Sequence, residues 1–133
     1  MRKYILVTAA TVLLALFAGC SKTTVEGSGG KKLTLVQPTD HTLKRGSTTE
    51  VTVAIAREKF SDPVSVSFDK LPTGVEVVDK DKKIAADDNT AKFTLKASDK
   101  ADLVSNQEVK VTVAGPDGMK ATEPFKLTVK DKE

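Results

Sequence analysis

Residues 50–57 read EVTVAIAR and residues 63–68 read PVSVSF, so in both stretches an apolar residue stands at every second position. Successive side chains of a β-strand point to opposite faces, and this alternation predicts strands with one buried and one solvated face. The same period recurs from residue 33 to residue 129. The residues expected to face inward are Leu33, Leu35, Val51, Val53, Ile55, Val64, Val66, Phe68, Val75, Val77, Phe93, Leu95, Ala97, Val109, Val111, Val113, Phe125, Leu127 and Val129.

Turn-forming residues separate these strands. The sequences LPTG at residues 71–74 and GPDG at residues 115–118 combine proline, which presets φ, with glycine, which accepts a positive φ. Seven strands divided by such turns predict an all-β fold, a seven- to eight-stranded antiparallel immunoglobulin-like sandwich. Cys20 is the only cysteine, so the sandwich is expected to hold without a disulfide.

The order of motifs resembles that of bacterial immunoglobulin-like domains. LKRG at residues 43–46 precedes the EVTVAIAR strand, and after PVSVSF come LPTGV at residues 71–75, AKFTLKA at 91–97 and FKLTV at 125–129. The resemblance covers about residues 33–129 and implies the architecture. Such domains serve as spacers, stalks and accessory modules, so the resemblance implies no particular activity.

The first twenty residues predict export. Arg2 and Lys3 precede an apolar run over residues 5–17, which ends in small residues before Cys20. This layout is typical of a secretory signal peptide. The alternative, a membrane-spanning helix, needs about 20 apolar residues, and the residues after Cys20 are polar.

The sequence LFAGC at residues 16–20 resembles the lipobox of bacterial lipoproteins, with Phe17 where an aliphatic residue is usual. The resemblance implies that residues 1–19 are removed and that Cys20 is acylated and anchors the protein in the membrane of the cell envelope. Ser21 after the cysteine implies the outer membrane where the organism has two. An unmodified thiol behind an ordinary signal peptide is the alternative.

Residues 20–31 are expected to form the acylated cysteine and a flexible tether, because Gly/Ser-rich segments behave as coils. Residues 32–133 then form the domain. The chain has 21 basic and 18 acidic residues, and 19 and 18 remain without Arg2 and Lys3. These charges alternate along the strands instead of clustering, so no nucleic-acid partner is expected.

Few residues suggest chemistry. Asp40 and His41 lie in a polar turn without a nucleophile motif, so no catalytic residue is expected and the protein is predicted not to be an enzyme. Four aspartates in one loop make a weak calcium site conceivable, but lysines interleave and no D-x-D-x-D-G spacing occurs. A solvated loop is the alternative, and no cofactor is expected. The four aspartates are Asp79, Asp81, Asp87 and Asp88.

The predicted function is that of a lipid-anchored, non-catalytic module that binds an envelope protein through loops or an edge strand. A carbohydrate- or peptidoglycan-contacting accessory module is the alternative, although the mature chain has no Trp or Tyr on which a sugar could stack. A small envelope enzyme is a third possibility. An exposed Phe60, or an edge strand without lysine, would favour the protein partner.

Overall fold

The computed structural model describes residues 21–132 of the chain and contains ten strands. Two short 3-10 turns, Ser28–Gly30 and Pro116–Gly118, lie in the connections between strands. Within this part of the chain, no helix is long and apolar enough to cross a membrane. The strands are β1 (Lys22–Glu26), β2 (Lys32–Val36), β3 (His41–Lys44), β4 (Thr48–Glu58), β5 (Val64–Asp69), β6 (Val75–Val77), β7 (Lys83–Ile84), β8 (Thr90–Ala97), β9 (Val104–Ala114) and β10 (Lys120–Lys130).

The strands form two five-stranded sheets. The first sheet has the order β1-β2-β4-β8-β6, and the second has the order β3-β10-β9-β5-β7. Every pairing is antiparallel except that of β3 with β10, which is parallel. The chain passes from the first sheet to the second between β2 and β3, at a segment containing Pro38. The predicted immunoglobulin-like sandwich is confirmed, with additional short strands.

The core lies between the two sheets, and its apolar residues are aliphatic apart from Phe93, Phe125 and Met119. Among the residues that the structure describes, the one buried polar or charged side chain is that of Glu123. All the residues predicted to face inward are buried, except three that are half-buried: Val66, Phe68 and Val77. Burial of each Val or Leu is worth about 1.5–3 kcal/mol, so this packing can hold the sheets together without a disulfide.

The prediction of a flexible tether over residues 20–31 is wrong for the part of it that the structure describes. Residues 22–26 form β1, which pairs with β2 from Lys22 opposite Val36 to Glu26 opposite Lys32. The Thr23 hydroxyl donates a hydrogen bond of 2.6 Å to Glu123, a carboxylate of β10 that points inward and is 3% exposed. Backbone pairing and this buried bond order the segment despite its polar composition, since a buried carboxylate needs a donor.

The turn after β1 is also fastened to the domain. The Ser28 hydroxyl donates to Asp117 at 2.8 Å, and the Lys31 ammonium lies 3.1 Å from the same carboxylate. The hydrogen bond from Ser28, aided by Lys31, lowers the pKa of Asp117 below its ordinary value of 3.8. Asp117 belongs to the turn between β9 and β10, so the hairpin of β1 and β2 is joined to the second sheet at this end as well.

Candidate functional site

The side of the sandwich formed by β5 and β6 is incompletely closed. On one side, β5 pairs with β9 from Ser65 to Asp69. On its other side, β7 pairs only with Val64 and Ser65, so residues 66–69 have no strand beside them. In the first sheet, β6 has three residues and is the last strand. Two unpaired strand edges therefore border this side of the core.

A groove of about 330 Å³ lies between these edges. Its apolar residues come from both sheets and include the three half-buried positions noted above, and Glu76, Asp79 and Lys80 add charges to its lining. The apolar side chains are Val66, Phe68, Leu71, Val75, Val77 and Phe93. The sequence pattern assigned most of these residues to the interior, and the structure places them where the interior opens to solvent.

Phe68 fixes the floor of the groove. Its ring meets the ring of Phe93 edge-on at a centroid distance of 5.6 Å and that of Phe125 at 6.4 Å. Edge-to-face contacts are favourable beyond the area they bury. Because Phe93 and Phe125 are core residues, the groove has a rigid, preformed floor.

The LPTG turn positions β6. The Val75 N–H donates to the Pro72 carbonyl at 3.0 Å, and the Ser98 N–H donates to the Gly74 carbonyl at 2.9 Å. Gly74 has φ of +90°, and a Cβ atom on it would stand 2.6 Å from the Cα of Ala101. Only glycine satisfies both conditions, so this turn fixes one wall of the groove. The LPTG motif was the one sequence feature that predicted a turn here, directly before β6.

Lysine is absent from the two strands that border the groove. β5 reads VSVSFD and β6 reads VEV. The other strands at sheet edges, β1, β3 and β7, contain Lys22, Lys44 and Lys83. Lysine on an edge strand discourages pairing with another chain. The groove is thus bordered by the edges without this protection.

The four aspartates considered for calcium have separate surroundings in the structure. No group of three or more His, Cys, Asp or Glu side chains that could hold a metal ion occurs within residues 21–132. Asp79 instead accepts a hydrogen bond of 2.8 Å from the Thr94 N–H, so its carboxylate pairs with a backbone donor of β8. Asp81, Asp87 and Asp88 are exposed.

The other polar candidates have structural contacts. The Nδ1–H of His41 donates to the Thr39 carbonyl at 2.8 Å, and Asp40 accepts a bond of 2.9 Å from the Lys126 N–H. Phe60 is half-buried, with the Arg57 guanidinium 5.6 Å from its ring centroid. Cys20 lies outside the described residues.

A second depression of about 410 Å³ lies beside the segment that links β2 and β3. Its lining combines polar residues, which include Gln37, Asp40, Glu108 and Lys126, with two prolines. The aromatic residue in its wall, Phe125, is 1% exposed and presents almost no ring surface. A sugar would therefore find hydrogen-bonding groups here but no aromatic face.

No protein-family model and no curated protein matches this sequence. Similar solved structures include a chimeric titin Z1Z2 functionalised with a decorin peptide, at 22% identity over 84% of this chain and 99% of that one, with a TM-score of 0.46. The complex of titin M10 with the obscurin-like 1 Ig domain has 15% identity, 78% and 99% coverage and a TM-score of 0.49. The BIgI domain of the beta protein from S. agalactiae, bound to CEACAM1, has 17% identity, 85% and 100% coverage and a TM-score of 0.40.

Proposed function

We propose that the protein is a membrane-anchored lipoprotein of the bacterial cell envelope whose immunoglobulin-like domain is non-catalytic and binds an extended segment of a partner protein. The observation that carries the proposal is the pair of lysine-free strand edges bordering an apolar groove. Unprotected edges are sites at which sheets accept an additional strand.

The binding mode is strand addition to β5. Residues 66–69 have backbone groups on the side that no strand occupies. An extended peptide there hydrogen-bonds to the main chain and points alternate side chains into the groove. Phe68 and Val77 in the lining favour an aliphatic or aromatic side chain of the partner.

The anchor is an acylated Cys20. The order of positive residues, apolar run, small residues and cysteine supports it. Two or three acyl chains, at about 0.8 kcal/mol per buried CH₂, hold a protein firmly on a membrane. Ser21 after the cysteine favours the outer membrane in a cell that has two.

A photocrosslinking experiment in the native cell tests the binding mode. A photoreactive amino acid replaces Glu76, which is exposed at the rim of the groove, or Thr52, which is exposed on the outer face of the first sheet. We expect a discrete protein adduct from position 76 and none from position 52. Adducts of equal yield from both positions, or no adduct from position 76, would contradict the proposal.

Two matched substitutions on β5 make the test specific. Val66→Asp places a carboxylate in the groove, whereas Ser65→Asp places the same group on the exposed face of the strand, outside the groove lining. We expect Val66→Asp to reduce the adduct at least about tenfold, since an unpaired buried polar group costs about 1–3 kcal/mol, and Ser65→Asp to preserve it. The empty groove is open to water, so both variants should fold, which thermal melts followed by circular dichroism verify. Equal loss in two folded variants argues against the groove.

A further inference from the structure

The chain is fixed to the sandwich immediately after Cys20. The Gln37 N–H donates to the Ser21 carbonyl at 2.8 Å, and the Ser21 N–H donates to the Gln37 side-chain oxygen at 3.3 Å. The Ser21 hydroxyl donates to Glu123 at 3.4 Å. Ser21, the residue that follows Cys20 in the chain, is thus held at the side of the sandwich formed by β1, β2 and β10.

The two outer faces of the sandwich differ in charge, a difference that the alternation of charges along the sequence did not predict. The outer face of the first sheet has four lysines and four glutamates, which are Lys22, Lys32, Lys92, Lys96, Glu26, Glu50, Glu58 and Glu76. The outer face of the second sheet has six lysines and two acidic residues. These lysines, together called the lysine face, are Lys44, Lys83, Lys110, Lys120, Lys126 and Lys130, and the acidic residues are Asp69 and Glu108.

Three of the six lysines lie on β10, the strand whose Glu123 accepts the hydrogen bond from the Ser21 hydroxyl. β10 contains Lys120, Lys126 and Lys130, and in the parallel register of β3 with β10, Lys44 lies directly opposite Lys130. Like charges opposite each other on a sheet are unfavourable. None of the salt bridges formed within residues 21–132 includes a lysine of this face. An external anionic surface would compensate these charges.

We infer that the lysine face lies against the anionic lipid headgroups of the membrane that holds the anchor. The inference rests on the proposed acylation of Cys20. Fixation of Ser21 keeps β10 close to the bilayer, and the attraction of each lysine to an anionic surface acts over a Debye length, about 8 Å at physiological salt. In this orientation β5 belongs to the sheet that faces the membrane, and the groove opens at the side of the sandwich away from Ser21, because β5 and β6 are at or next to the sheet edges opposite β3 and β1.

Lipid-borne quenching of a fluorophore on the mature, acylated protein tests the orientation. The thioether occupies the thiol of Cys20, so Thr122→Cys and Thr52→Cys each provide one labelling site, on the lysine face and on the first sheet respectively. The vesicles contain phosphatidylcholine with about 30% phosphatidylglycerol and a headgroup-linked nitroxide quencher. We expect at least about twofold stronger quenching at position 122, a difference that disappears in about 1 M NaCl, where the Debye length is about 3 Å.

Matched charge variants complete the test. Replacing Lys120, Lys126 and Lys130 with glutamine should abolish the difference in quenching, whereas the same change at Lys32, Lys92 and Lys96 should preserve it. If the protein floats with the vesicles but the fluorophore is quenched equally at both positions, the orientation is wrong and the anchor is unaffected. Protein that does not float with the vesicles contradicts the acyl anchor, and the orientation falls with it.

Discussion

Replacing Cys20 with serine is expected to transfer most of the protein from the membrane fraction to the soluble fraction. The serine hydroxyl cannot form the diacylglyceryl thioether, and the apolar run over residues 5–17 is shorter than the roughly 20 residues that span a bilayer. Loss of two or three acyl chains removes nearly all the membrane affinity. Immunoblotting of separated membrane and soluble fractions measures the change, which we expect to exceed tenfold.

Phe17→Leu is the matched control for this prediction. It places an aliphatic residue at the position where the lipobox usually has one, so the variant should remain in the membrane fraction like the wild type. Membrane retention of the Cys20→Ser protein with residues 1–19 removed would show that something other than an acyl group holds it. N-terminal peptide analysis of the same fractions establishes whether those residues were removed.

Gly74→Ala is expected to lower the free energy of unfolding by about 2–5 kcal/mol. The left-handed conformation at φ of +90° costs an L-residue about 1–2 kcal/mol. In addition, the new Cβ would stand 2.6 Å from the Cα and 2.9 Å from the Cβ of Ala101, and overpacking of this kind costs about 1–3 kcal/mol. Urea denaturation followed by circular dichroism measures the change.

Gly29→Ala separates the two contributions. Gly29 also has a positive φ, +70°, but a Cβ there meets no atom within 4 Å. We therefore expect this variant to lose only the conformational part, about 1–2 kcal/mol. Equal losses in the two variants would mean that the approach of Gly74 to Ala101 does not fix the turn before β6.

The residue pattern predicted the core well but did not predict β1, β3 or β7. Val51, Val53 and Ile55 alternate with small or polar residues, and the structure buries all three. In β1, the sequence KTTVE has little apolar content, so its order depends on pairing with β2 and on the bond from Thr23 to Glu123, 100 residues away. No local signal indicates such a partner.

The residue pattern was also insufficient to predict the groove. Alternation correctly assigned Val66, Phe68 and Val77 to the inner face, but it could not show that they line an opening. The opening exists because β7 pairs with only two residues of β5 and β6 ends after three. The short strand β7 lies in a long, mostly polar loop, and its two residues are too few to produce an alternating pattern.

The central claim is that the protein is anchored by lipid on Cys20, directly before the folded domain. Identifying the N-terminal residue of the protein extracted from membranes, and any group attached to it, tests this claim most directly. Mass spectrometry of the intact protein and of its N-terminal peptide is expected to show a chain that starts at Cys20 and has a diacylglyceryl thioether on that residue. A mature chain that starts at another residue, or at Cys20 with a free thiol, would contradict the account.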